Sequence, residues 1–204
     1  MIYLSIFQLL FLLFLGQADM KSSKAQNVGP EEEELCLSVD EKALFEGIND
    51  YRKQKKLPAI PLSAALTKVA KSHAWDLNEN YDLSQRAKCN PHSWSQQDDW
   101  TGCCYTDNHK DPNCMWDKPK EIAGYPAAGY EIVYWNSSEA KPSAALEGWK
   151  KSHGHNQVMI NLEIWKKVEW KALGIAIKDN YAIAWFGDTV DERGAANLCN
   201  NEGL

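Results

Sequence analysis

The chain has 204 residues, 44% of them hydrophobic and 25% charged, a composition that suits one globular core and argues against a second. A net charge of −6 with no large basic patch argues against nucleic acid as a partner. Six cysteines with no Cys-x-x-Cys pair argue against a thiolate zinc site.

Ile2 to Leu15 is almost wholly apolar, and Gly16-Gln17-Ala18 puts small residues where a signal peptidase requires them. The run falls short of the ~20 residues of a spanning helix. Residues 1–18 therefore read as a cleaved signal peptide, and the mature chain as secreted, extracellular and without stable membrane insertion. Residues 19–35, with the run Glu31 to Glu34, read as a solvated acidic linker. The folded domain is expected over 36–190, followed by a tail, 191–204, that carries Cys199. In an oxidising compartment Cys36, Cys89, Cys103, Cys104, Cys114 and Cys199 are expected to form three disulfides, whose pairing the sequence leaves open. A vicinal Cys103–Cys104 bond would be strained, so separate partners are expected for those two. Cys36 and Cys199 are a candidate pair that would close the longest loop.

Ser38 and Glu41 match a capping box, and Leu44, Phe45, Ile48 and Tyr51 follow at helical spacing, predicting a first helix that ends near Lys56. A second helix follows Ser63, with Leu66, Val69, Ala70, His73, Ala74 and Leu77 on one face. His73 belongs to that apolar stripe and reads as a core histidine satisfied by one hydrogen bond rather than as a ligand. From Tyr81 to Gly129 no periodicity is sustained, and turn formers and four cysteines predict a long loop held by disulfides. Tyr130 to Trp135 predicts a strand with Glu131 on the same face as Val133 and Trp135, an unusual place for a carboxylate unless that end of the face meets water. Asn136-Ser137-Ser138 is a glycosylation sequon, which makes Asn136 a candidate site on an exposed loop. Pro142 opens a third helix running towards Ser152, with Gly154 helping to end it. Val168 to Ile177 and Tyr181 to Phe186 predict two strands joined as a hairpin at Asp179-Asn180. The order of elements is that of an α+β domain with helices packed on a mainly antiparallel sheet.

Several stretches together resemble the superfamily of cysteine-rich secretory proteins, antigen 5 and pathogenesis-related proteins, the CAP or SCP domain. They are Ile48-Asn49-Asp50-Tyr51-Arg52 with the second-helix stripe, Gly154-His155, Leu173-Gly174-Ile175-Ala176-Ile177, and Trp185-Phe186-Gly187. The resemblance, covering roughly Asp40 to Asp188, implies a three-layer α-β-α sandwich with a cleft. In many members two histidines and two acidic residues there hold a divalent metal. By position, His92, Glu131 and His155 are the matching candidates here. The second acidic position is filled by Lys150, Lys151 and Ser152, and Glu147 lies on the wrong side of Trp149 to take its role. His153 is a weaker extra candidate, with an exposed loop position as the plainer reading. Two imidazoles and one carboxylate still match the ligand count of an open zinc site. The missing carboxylate removes a general base or anionic anchor, and the nearby lysines disfavour a cation.

Two functions compete on these residues. One is a non-catalytic extracellular binding module with a degenerate His/Glu cleft, whose partner is a protein, glycan or lipid. Trp94, Trp100 and Trp116 of the cysteine-rich loop are its candidate recognition residues. The alternative is a metal-dependent hydrolase using His92, Glu131 and His155 to hold a divalent ion such as zinc, although no independent catalytic motif occurs. The resemblance adds a third, a sterol or fatty-acid carrier.

Overall fold

The computed structural model describes residues 35–199. The expected signal peptide, nearly all of the acidic linker and the last five residues lie outside that range. The chain runs β1 (Cys36–Leu37), α1 (Val39–Gln54), α2 (Ala64–Asn80), α3 (Asn113–Trp116), α4 (Lys118–Ala123), β2 (Gly129–Trp135), α5 (Pro142–Lys151), α6 (His153–Met159), β3 (Ala172–Lys178), β4 (Tyr181–Gly187) and β5 (Asn197–Leu198). Short 3-10 turns occupy Leu83–Gln85 and Glu163–Trp165.

The capping box opens α1 as expected: Glu41 N–H donates to Ser38 Oγ, and Ser38 N–H donates to Glu41 Oε2 at 2.7 Å. Glu41 also accepts from Lys71 Nζ on α2 and from the Ile177 backbone on β3, so one buried carboxylate ties three elements together. At α2, Ser63 Oγ accepts from Leu66 N–H. Asp191 reaches back to accept from Ser63 Oγ and Ala65 N–H, so the segment after residue 190 is bonded to the domain it follows.

The main sheet is antiparallel with order β2-β4-β3, and β1 and β5 form a small parallel pair beside it. Residues of β4 alternate between two cores. Tyr181, Ile183 and Trp185 face α2, packing with Leu66, Val69 and Leu77. Ala182, Ala184 and Phe186 face the layer of α1 and α5, packing with Ile48, Trp149 and Trp170. Two helical layers thus enclose one sheet, the α-β-α sandwich expected. Gly174 allows the close approach of α2: a Cβ there would lie 2.0 Å from the Leu66 carbonyl carbon.

The disulfides are Cys36–Cys199, Cys89–Cys104 and Cys103–Cys114, with Cα separations of 4.8, 4.9 and 5.5 Å. Cys36 does pair with Cys199, and the vicinal cysteines do take separate partners. Two boundaries differ from expectation. The third helix breaks at Ser152, whose backbone turns extended (ψ 119°), and Gly154 sits inside the new helix α6 instead of ending the old one. Strand β3 begins at Ala172, not Val168, because it pairs with Gly187, the last residue of β4, and no partner strand extends further.

Candidate functional site

Four elements bring histidines and a carboxylate together. Helix α2 carries His73, the loop after it His92, strand β2 Glu131, and helix α6 His155. Glu131 lies on the α2 side of β2 and is only 6% exposed, so the face it shares with Val133 is closed to water. Its two oxygens have separate partners. His73 Nδ1–H donates to Oε1 at 2.5 Å, and His92 Nδ1–H donates to Oε2 at 2.8 Å. His73 Nε2–H donates to the Ser93 carbonyl at 3.0 Å, and its ring stacks on Trp94 with centroids 4.1 Å apart.

The charges follow from this geometry. Burial pushes His73 down, but facing Glu131, bonding to the Ser93 carbonyl and lying near Asp76 raise it overall, so it is an imidazolium donating from both nitrogens. Burial pushes Glu131 up, yet His73 and His92 hold it below the usual carboxylate range. The result is a buried ion pair with a third member, His92, whose side chain is 20% exposed. With Nδ1–H donated to Glu131, Nε2 is the ring nitrogen of His92 that this bond leaves free. His155 lies within Coulombic reach of both; burial first, then His92, lower it to about 4, so it is neutral at physiological pH. Tyr105 sets its ring edge-on to His92 at 5.6 Å. Asp76 fixes the loop that carries His92, accepting from Ser95 N–H and Ser95 Oγ.

The structure therefore joins His92 to Glu131 by a hydrogen bond and adds His73, while His155 lies within electrostatic reach of His92 and Glu131. His153 does not join them. It is exposed and accepts from Gln157 Nε2 at 2.7 Å, and two positions from His155 on a helix it faces elsewhere. Trp94 and Trp100, expected to recognise a partner, are each 4% exposed and pack edge to face under the loop, so they are core residues. Trp116 is half-buried against Tyr130. Asn136 sits in the turn after β2, where its Oδ1 accepts from Ser138 and Nδ2 donates to Tyr134 Oη.

A three-ligand metal site does not fit these residues. Both Glu131 oxygens already accept hydrogen bonds, which leaves two imidazoles in the cleft. Among the described residues no group of three or more His, Cys, Asp or Glu is placed to hold an ion.

Among solved structures, the fold is similar to an extracellular protein containing an SCP domain from Bacillus anthracis str. Ames, with a TM-score of 0.50 and 20% identity. That match covers 72% of this chain but 39% of the Bacillus chain, so this protein spans well under half the length of that relative. A cysteine-rich secretory protein from Staphylococcus aureus subsp. aureus Mu50 aligns at 12% identity and a TM-score of 0.49, over 74% of this chain and 38% of that one. No curated sequence matches the chain. The sequence profile of the cysteine-rich secretory protein family, CAP, matches residues 45–180, which include every residue of the His73–Glu131–His92–His155 cluster. By that match, the chain belongs to the CAP family.

Proposed function

We propose that this protein is secreted after cleavage behind Ala18 and acts as a non-catalytic extracellular binding module. The observation that carries the reading is the placement of Glu131 between two imidazoles: with one oxygen on His73 and the other on His92, its carboxylate is held below the usual range and is a poor base towards water. The cleft instead presents two imidazoles, neutral His155 and the outer side of His92, which suit a partner that brings a hydrogen-bonding group. An extracellular protein, glycan or lipid could each supply such a group. Trp116, half-buried at the edge of the cysteine-rich loop, is the remaining tryptophan of that loop available to a partner.

A second reading, a metal-dependent hydrolase on His92, Glu131 and His155, is favoured by one contact. A carboxylate bonded to the inner nitrogen of an imidazole is the arrangement that orients metal-bound histidines. It would leave two protein ligands, one short of the usual catalytic zinc site. Calorimetric titration of the oxidised protein with zinc, beside its His155→Ala variant, separates the two. The binding-module reading expects no stoichiometric zinc uptake by either protein and no ester or peptide turnover with zinc added. Stoichiometric uptake that His155→Ala abolishes, together with chelator-sensitive turnover, would replace it with the hydrolase.

A further inference from the structure

The turn after α6 holds two aliphatic side chains in water. Ile164 is 80% exposed and Leu162 43%. The turn is not loosely held. Asn161 and Glu163 take left-handed backbone conformations (φ 54° and 51°), and the Asn161 side chain accepts from the buried Arg52 guanidinium while donating to the Trp165 and Val168 carbonyls. Trp165 anchors the other side, its ring 4.7 Å from Tyr130 and 5.4 Å from Trp170. Glu163, held in the left-handed region between the bonds of Asn161 and the packing of Trp165, fixes a turn that leaves Leu162 and Ile164 exposed, and strain held by its surroundings points to a use.

The neighbouring surface is basic in a chain whose net charge is −6. Lys166 and Lys167 end the turn and are exposed. Arg52 bonds the turn to the end of α1, where Lys55 and Lys56 are exposed. Tyr51, the residue before Arg52, lies between Lys55 Nζ at 5.3 Å and Lys150 Nζ at 4.7 Å, which brings in the end of α5 with Lys151. Glu147 pairs with Lys150, and Glu163 and Glu169 offset the turn's own lysines, so the surplus of positive charge comes from the helix ends.

We propose that this surface docks on an anionic lipid interface, with Leu162 and Ile164 entering the headgroup boundary and the lysines facing lipid phosphates. Exposed aliphatic tips beside lysines, backed by half-buried Trp165, have the chemistry of an interfacial anchor. A sulfated glycan would engage the lysines and leave Ile164 in water. A protein interface would present a broader apolar patch than two side chains.

The test is co-sedimentation of the oxidised protein with vesicles of phosphatidylcholine alone and of phosphatidylcholine with phosphatidylserine in equal parts. The protein is expected to pellet with the anionic vesicles and stay in solution with the neutral ones. Leu162→Ser/Ile164→Ser should lower the partition coefficient about tenfold or more through lost apolar burial. Lys166→Glu/Lys167→Glu should lower it by at least as much through charge. Val190→Ser, at another exposed aliphatic, should change nothing. All three sites are exposed, so unchanged thermal midpoints establish that the variants fold. The proposal is overturned if the parent protein ignores anionic vesicles, or if the serine variant binds them as well as the parent while sulfated glycan competes. It is also overturned if sedimentation velocity shows a dimer that only the serine variants dissolve, since a second copy would then cover the patch.

Discussion

On the α2 side of the sheet the buried charges face one another: His73 and Glu131 form an ion pair that continues through His92 into the cleft. On the α1 side the largest buried charge, Arg52, faces neutral acceptors, donating to the Pro58 and Met159 carbonyls and to Asn161 Oδ1. The first arrangement depends on two proton equilibria and links a core strand to solvent. The second depends on one group that stays charged, and it joins the end of α1 to the turn after α6. Buried charge therefore serves the site on one side and the backbone on the other.

The largest effect should come from separating the ion pair. His73→Leu leaves Glu131 buried with His92 as its only partner, and breaking a buried pair costs about 3–5 kcal/mol. His73→Leu/Glu131→Leu removes both charges and should recover most of that loss, because matched apolar replacements of a buried pair are often near neutral. Denaturant unfolding of the two singles and the double measures the coupling. Simple additivity of the single losses would show that His73 and Glu131 do not act as one unit.

The same side should give stability a rise and fall with pH. His155 is lowered from 6.5 to about 4, so the folded state resists its protonation. Its contribution is complete above 6.5 and is lost as pH falls towards 4, about 3 kcal/mol in all at 1.36 kcal/mol per unit. Glu131, also lowered, acts in the same direction, with stability present above its ordinary 4.5 and lost as pH falls through its folded value. His73 is raised, so its contribution is complete below 6.5 and is lost as pH rises through its folded value. His155→Phe should flatten the acid limb and leave the alkaline one, whereas the His73/Glu131 double variant should flatten the alkaline limb. Thermal midpoints across pH decide this, and an acid limb unchanged by His155→Phe would reassign it to other carboxylates.

The two sides of the sheet differ in how far local sequence encodes them. The capping box at Ser38, the α2 stripe, the alternation along β4 and the turn at Asp179-Asn180 rest on local chemistry and periodicity, and each stands in the fold. The break at Ser152 does not, because no proline or helix-ending glycine encodes it. His73 and Glu131 each look out of place in sequence, an imidazole in an apolar stripe and a carboxylate on an apolar strand face. Their complementarity is the one signal that would have paired them, and only the packing of α2 on β2 makes it visible. The reading of His73 as a core residue holds, but it makes two hydrogen bonds and one of them sets the charge of the site. Trp94 and Trp100 show the converse limit. An aromatic in a loop without periodicity can lie inside or outside, and here the bridge between Trp94 and Cys103 turns that part of the loop inward.

The smallest of the three effects should be on the other side of the sheet. Arg52→Met keeps most of the buried volume but leaves the Pro58 and Met159 carbonyls and Asn161 Oδ1 without their donor, which should cost about 2–3 kcal/mol. Arg52→Lys should recover only part, because a single ammonium cannot reproduce the spread of a guanidinium that donates from both Nε and Nη1. Burial lowers Arg52 to about 10, still above the neutral range, so the loss in either variant should be the same at every pH where the α2-side network changes. Chemical denaturation of Arg52→Met at several pH values tests this. A pH-dependent loss would mean that Arg52 is coupled to the His73–Glu131 pair through the sheet and that the two sides are one electrostatic system. A constant loss would establish Arg52 as a backbone staple, whose removal frees the Leu162–Lys167 turn without altering the cleft.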